Sequence, residues 1–272
     1  MTVRSRRQFT AGAAAVRTAE SEILRTLRDP LPATDIPIKL TTYALRDRQQ
    51  DKMRLLIAAE VDRAVNPSGE MSVGYVLVDF NGKLVASQAA STLPRGGRDG
   101  GSVGRYLSTV LVDPGKFSLK LVVVDDARRR GSVERVAVAD LTTAGPIRAS
   151  DLLIADAAGR TSDMPLVPSV SNEITGNALD GYLELVGATA EALAQASVTL
   201  EIAENEKAPA LERVPVPLVP VKENALYRVA AVRVNIERFA PGNYVARAVI
   251  AVGLNSVGQV VRPFSIPAGP GK

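Results

Sequence analysis

The side chains that carry out most enzyme chemistry are missing from this sequence. Its 272 residues include no histidine and no cysteine. A Ser-His-Asp triad, a cysteine nucleophile, a disulfide and a thiolate metal site are therefore excluded within the chain. Carboxylates, lysine, tyrosine and serine remain, so a pair of carboxylates of the kind used by glycoside hydrolases stays open.

Three aspartates could contribute to a calcium site. Asp79, Asp125 and Asp126 fall at the ends of predicted strands, where carboxylates and backbone carbonyls can meet a Ca²⁺ ion. No EF-hand or other calcium-loop pattern accompanies them, and the strand ends equally favour a solvated turn. We therefore expect no metal.

A second acidic group follows a later strand. Alternation places Glu201 outside the core, and it places Glu204 and Glu206 in a turn, which favours a solvated edge. From these residues we predict no catalytic residue, no cofactor-binding residue and no cofactor.

The basic residues do not form the stripe that nucleic-acid binding requires. The chain has 33 basic and 29 acidic residues, a net charge of +4. Residues 128–130 are three arginines beside two aspartates, which is typical of a solvated hairpin tip. Residues 95–101 are a Gly-rich basic loop whose spacing matches no phosphate-binding motif, so we predict a connection there and no nucleic-acid partner.

Strands that alternate between apolar and polar residues must position whatever site exists. Residues 52–61 place Met53, Leu55 and Ile57 on one face, and similar runs recur through the chain. Aromatic residues are 4% of the sequence, so the cores must consist of aliphatic side chains. Phe80-Asn81-Gly82-Lys83 predicts a hairpin with a type I′ turn.

One corner occurs twice. Pro114-Gly115-Lys116-Phe117 and Pro241-Gly242-Asn243-Tyr244 each lead into an alternating run, and we expect the glycines to supply positive φ and the aromatic rings to point inward. Pro114 and Pro241 are 127 residues apart, as are Gly131 and Gly258. In this register Lys120 and Arg247 coincide at outward positions. The pattern predicts two copies of a seven-stranded unit.

The predicted organisation is mainly β: two tandem immunoglobulin/fibronectin-III-like β-sandwich domains preceded by one N-terminal α-helix. Residues 1–30 hold a strand remnant and the helix, predicted at residues 13–28; residues 31–145 are the first sandwich, and residues 146–272 the second. Residues 5–9 match the twin-arginine export pattern, and residues 2–6 alternatively read as an exposed edge strand. No stretch approaches the roughly 20 apolar residues of a membrane span.

Several passages resemble the C-terminal accessory region of bacterial VWFA-related proteins, in which a von Willebrand factor A-like domain precedes sandwich-like segments. They are residues 3–11, 31–37, 114–117, 150–154, 241–244 and 262–264. The Asp-x-Ser-x-Ser metal motif of the A-like domain is absent, so no metal ligand carries over. The resemblance implies an exported, extracytoplasmic protein in which this region accompanies an A-like domain.

These observations favour a non-enzymatic interaction or spacer module whose partner is a protein or an upstream domain of the same polypeptide. A carbohydrate-binding module is the first alternative, although such sites usually stack sugars on exposed aromatic rings and this chain has no tryptophan. A carboxylate-based hydrolase is the second alternative.

Overall fold

The computed structural model describes residues 18–67, 69–93, 103–158 and 166–268, which form two β-sandwiches and a helix. This confirms the mainly β, immunoglobulin-like architecture. The export pattern at residues 5–9, the possible edge strand at residues 2–6 and the Gly-rich loop at residues 95–101 lie outside the described residues. The described part contains no helix long and apolar enough to cross a membrane.

The first sandwich pairs a three-stranded sheet with a four-stranded sheet, and all neighbouring strands are antiparallel. The smaller sheet has the order β1-β2-β5 and the larger β4-β3-β6-β7. The strands are β1 (Ile38–Arg46), β2 (Met53–Asp62), β3 (Met71–Asp79), β4 (Leu84–Thr92), β5 (Val103–Val112), β6 (Gly115–Asp125) and β7 (Arg130–Ala139). The buried aliphatic residues between the sheets form one cluster.

The second sandwich also packs two antiparallel sheets, of six and four strands. One sheet has the order β14-β15-β11-β9-β8, with β10 also paired to β11, and the other has the order β13-β12-β16-β17. The elements are β8 (Thr142–Ala144), β9 (Ile147–Ala149), β10 (Leu153–Asp156), β11 (Ala178–Gly187), a short helix α2 (Ala190–Ala194), β12 (Ala196–Ala203), β13 (Glu212–Val216), β14 (Leu218–Val221), β15 (Asn224–Asn235), β16 (Gly242–Val252) and β17 (Asn255–Ile266). A separate apolar cluster fills it. Descent of the two sandwiches from one duplicated unit stays a prediction.

Both Pro-Gly corners lead directly into the eleven-residue strands β6 and β16. Phe117 is buried in the first core, and Tyr244 packs against the second, where its hydroxyl donates to the Ala240 carbonyl at 2.8 Å. The expected positive φ is wrong at both glycines, because among the described glycines only Gly82, Gly145 and Gly253 adopt it.

The hairpin between β3 and β4 is not a type I′ turn. Only Gly82 has positive φ, whereas Asn81 does not, and the Gly82 N–H donates to the Asp79 carbonyl at 3.0 Å. The Asp79 carboxylate accepts from the backbone N–H groups of Asn81 and Lys83, each at 2.9 Å. These bonds stabilise a turn with a single left-handed residue.

The N-terminal helix α1 (Ala19–Arg28) packs on the outer face of the larger sheet of the first sandwich. Thr18 caps the N-terminus of this helix. The predicted start at residue 13 lies outside the described residues. Ile23 of α1 is fully buried with Val122 and Val124 of β6. A Cβ atom added to Gly74 would lie 2.4 Å from Cγ2 of Ile23. The absent side chain at Gly74 therefore lets the helix approach the sheet.

Candidate functional site at the junction of the sandwiches

The smaller sheet of the first sandwich packs its outer face against the second sandwich. A third apolar cluster joins Tyr43 and Leu45 of β1 and Ala58 of β2 to Leu153 of β10. Leu56, Leu166, Val170 and Tyr182 pack around these residues. Strands β1 and β2 therefore carry apolar residues on both faces, because one face covers the core and part of the other covers the neighbouring sandwich.

A buried carboxylate occupies the centre of this junction. Glu184 on β11 is 1% exposed, and its Oε1 accepts from Arg54 Nη2 of the first sandwich and from the Tyr182 hydroxyl, each at 2.7 Å. The Tyr227 hydroxyl donates to Oε2, and Arg48 Nη2 lies 3.6 Å from Oε1. Both sandwiches thus contribute donors to one charge.

The two tyrosines keep their protons at this centre. Burial and the neighbouring Glu184 charge raise the pKa of Tyr182 and the pKa of Tyr227 well above the ordinary phenol value. Each hydroxyl therefore remains a hydrogen-bond donor to the carboxylate over the whole physiological range.

A second contact ties the edge of β1 to the loop before β10. The Asp151 N–H donates to the Ala44 carbonyl at 3.0 Å, and the Ala44 N–H donates to Asp151 Oδ2 at 2.7 Å. Burial raises the pKa of Asp151 above its ordinary value, although the Ala44 hydrogen bond and the positive charge of Arg262 oppose this effect.

A third contact involves the middle of β1. Arg262 of β17 donates from Nη2 to the Thr41 hydroxyl at 2.9 Å and to the Tyr43 hydroxyl at 3.0 Å. Its guanidinium carbon lies 4.4 Å from the centre of the Tyr43 ring, a cation–π contact. The Tyr43 hydroxyl in turn donates to the Ser169 carbonyl at 2.9 Å.

This arrangement joins the two sandwiches through a buried ion pair and its hydrogen bonds. The Glu184 carboxylate already accepts hydrogen bonds from an arginine and two tyrosines, so neither oxygen is turned toward an open cavity. The part of the chain that the structure describes contains no group of three or more acidic side chains able to hold a metal ion.

The proposed calcium ligands do not converge. Asp79 and Asp125 lie at opposite ends of the β3–β6 pair, roughly 27 Å apart for eight residues of extended strand. Asp125 is buried and bonds Arg129 at 2.7 Å, while Asp126 accepts from Asn66 at 2.7 Å. The three carboxylates therefore stabilise two separate turns.

The three glutamates of the second acidic group, Glu201, Glu204 and Glu206, differ in exposure. Glu204 and Glu206 are exposed, as expected, but Glu201 is wrongly assigned to a solvated edge, because its side chain is only 12% exposed. Glu201 bonds Arg247 at 2.6 Å and Arg213 at 3.0 Å.

Arg247 is also covered, although it lies on the outer face of β16. It is 6% exposed and donates to the carbonyls of Glu206 and Ala208, each at 2.9 Å, because the loop after β12 folds over it. Arg247 therefore lies on the face opposite the core residues Ala246 and Ala248, as predicted, and the loop covers that face.

The sequence interpretation missed the junction residues Glu184, Arg54, Tyr43 and Arg262. One signal was present: the face of β2 that carries Arg54 and Glu60 also carries Leu56 and Ala58. An apolar pair in the middle of a polar face indicates that another surface covers that face.

Comparisons with known proteins do not assign the chain to a family. No family model matches it, and no curated protein matches it. Among solved structures, the Northeast Structural Genomics Consortium target SoR45 is 14% identical, with a TM-score of 0.26, over 41% of this chain and 89% of that one. Red sea bream transglutaminase is 9% identical, with a TM-score of 0.25, over 85% of this chain and 31% of that one.

Proposed function

We propose that this chain is a non-enzymatic, rigid two-sandwich module that spaces and presents a protein interaction surface. The observation that carries the proposal is the junction around Glu184. Its bond to Arg54 crosses between the sandwiches, and its bonds to Tyr182 and Tyr227 lie within the second. Separating the sandwiches would leave the buried Glu184 carboxylate without its arginine partner, which is energetically costly. The two sandwiches therefore keep one relative orientation.

An exposed apolar row supports a protein partner. Val103, Leu107 and Leu111 on β5 are 41%, 48% and 45% exposed, alternate with exposed Arg105 and Thr109, and lie on the same sheet face that Leu56 and Ala58 use at the junction. Exposed apolar patches with polar rims are typical of protein interaction sites. The partner in this proposal is another protein or an upstream domain of the same polypeptide.

The alternatives have less support. Among the described residues, Phe80 is the one exposed aromatic side chain, at 68%, whereas a sugar site usually needs an aromatic platform. For a carboxylate hydrolase, the buried acids Asp125, Asp180 and Glu184 are each bonded to an arginine. A glycan array that showed specific binding, or turnover abolished by mutation of a carboxylate, would contradict the proposal.

The proposed context is an exported bacterial protein with a von Willebrand factor A-like domain. This part rests on the sequence passages that resemble such proteins. Measuring the intact mass of the native protein tests it, because a mass well above 28.7 kDa is expected if an A-like domain belongs to the same polypeptide. A mass near 28.7 kDa would contradict it.

Rigidity can be tested directly because the chain has no native cysteine. Spin labels at Lys116→Cys and Ser256→Cys, both exposed and one on each sandwich, report the distance between the sandwiches by double electron–electron resonance. We expect one narrow distance distribution. A broad or multiply peaked distribution in the otherwise unchanged protein would refute the rigid module.

A further inference from the structure

A polar cleft between the sandwiches is lined by cations, and its neighbouring acids are Glu60, opposite Lys39 on β2, and Asp151, near Arg262. It has a volume of about 450 Å³, and three cations, Lys39, Arg135 and Arg262, line it. The lining includes no aspartate or glutamate. Within the described residues, none of the three cations forms an ion pair within 4.0 Å.

Neutral groups hold the two arginines in place. Arg262 bonds the Thr41 and Tyr43 hydroxyls, and its Nε donates to Asn172 Oδ1 at 3.2 Å. Arg135 donates to the Leu40 carbonyl. Because these acceptors carry no charge, they fix the guanidinium groups without cancelling their field, and such groups suit a carboxylate or another oxyanion.

The cleft also exposes a strand edge. Strand β1 is at the end of its sheet, and alternation directs the N–H and C=O groups of Leu40, Thr42 and Ala44 away from β2. Ala44 uses both groups to bond Asp151, and Leu40 accepts from Arg135. Thr42, which lines the cleft, has no partner for either backbone group among the described residues.

We propose that the cleft binds a short extended peptide segment whose acidic side chain lies between Arg135 and Arg262. The backbone of that segment would pair with Thr42, as in strand addition to a sheet edge. Exposed Val136 and Pro263 at the rim would contact apolar residues on either side of the acid. This inference rests on the proposed interaction role and names the chemistry of the partner.

The test is an amide NMR titration of the ¹⁵N-labelled full chain. The probe is acetyl-Val-Glu-Val-amide, and its matched control is acetyl-Val-Gln-Val-amide. We expect the glutamate peptide to shift the Thr42 and Asn172 signals saturably, and we expect the glutamine peptide to bind at least about tenfold more weakly. Equal binding of the two peptides would overturn the proposal.

Arg135→Gln is the decisive variant, because the hydrogen bond of Arg135 within the described residues goes to the Leu40 carbonyl and not to Glu184, Asp151 or Tyr43, so we expect the junction to stay intact. It should weaken the glutamate peptide by at least about tenfold, whereas Arg128→Gln at an exposed turn should leave its affinity unchanged. Unchanged affinity in Arg135→Gln would overturn the proposal.

A parallel titration with inorganic phosphate distinguishes a peptide-binding site from a site that binds any oxyanion. Inorganic phosphate should shift these signals less than the glutamate peptide does. Shifts with phosphate alone would overturn the peptide assignment. A narrow spin-label distance combined with no peptide shift would refute this inference and leave the rigid module standing.

Discussion

Replacing Glu184 by glutamine removes the central charge of the junction and keeps its shape. The carboxylate accepts from Arg54, Tyr182 and Tyr227, whereas glutamine offers one carbonyl oxygen and turns an amide NH₂ toward the remaining donor. The Tyr227 hydroxyl would keep the Arg46 carbonyl, 3.2 Å away, as an acceptor, and the loss of its hydrogen bond to the charged carboxylate costs about 1–3 kcal/mol. The lost attraction to Arg54, whose side chain is 29% exposed, adds about 1 kcal/mol.

The expected loss is therefore about 2–4 kcal/mol in the free energy of unfolding. For a chain of this size, scanning calorimetry should show the Tm lowered by roughly 4–16 °C. Because the variant loses the charge attraction between Glu184 and Arg54, which joins the sandwiches, Glu184→Gln should also broaden the distance distribution between spin labels at positions 116 and 256.

Glu201→Gln is the matched control. Glu201 is also largely buried and bonds two arginines, but both belong to the second sandwich. This variant should lower the Tm and keep the narrow spin-label distribution. The assignment of Glu184 as the residue that holds the two sandwiches together would be wrong in either of two cases. The first is that Glu184→Gln leaves the Tm and the spin-label distance distribution unchanged. The second is that Glu201→Gln broadens that distribution equally.

Three further predictions concern single positions. Gly74→Ala should destabilise the fold by about 1–3 kcal/mol and release α1, because the new Cβ would lie 2.4 Å from Ile23. The control is Gly115→Ala, where the nearest atom would be 3.7 Å from the new Cβ. Equal denaturant midpoints for the two variants would contradict the prediction. Arg128→Gly should raise stability by about 0.4–1 kcal/mol, since Arg128 has φ 65°, and an unchanged or lower midpoint in urea would count against it. The pKa of Asp151 is raised, so its stabilising contribution is full below pH ~3.8 and is lost as the pH rises through the folded-state pKa. Asp151→Asn should remove this pH-dependent loss of stability. Parallel profiles of Tm against pH for the variant and the parent between pH 3 and 7 would refute the assignment.

The strands could be predicted because each sandwich core imposes a period of two on its sequence. Phe117, Leu119 and Leu121 alternate with Ser118 and Lys120, and the structure buries the first set in the core. The same rule gave the correct face for Arg247, but alternation does not predict the loop that covers that face. Turn type failed for a similar reason at Asn81, where side-chain bonds from Asp79 determine the backbone.

The junction could not be located from periodicity, because it depends on residues about 130 positions apart. Arg54 and Glu184 each look like an ordinary outward charge on an alternating strand. Only the apolar Leu56 and Ala58 beside Arg54 indicated that this face is covered. The partner of a polar residue on such a face is determined by tertiary packing, which local sequence does not encode.

The division of the Glu184 site between the sandwiches has an evolutionary consequence. Many β-sandwich domains can be exchanged between proteins by recombination, because each carries a complete set of its own contacts. Here a recombinant that replaced the first sandwich would lose Arg54 and leave Glu184 with only its two tyrosine donors. Positions 54 and 184 should therefore change together in related sequences, and the two sandwiches should be inherited as one unit.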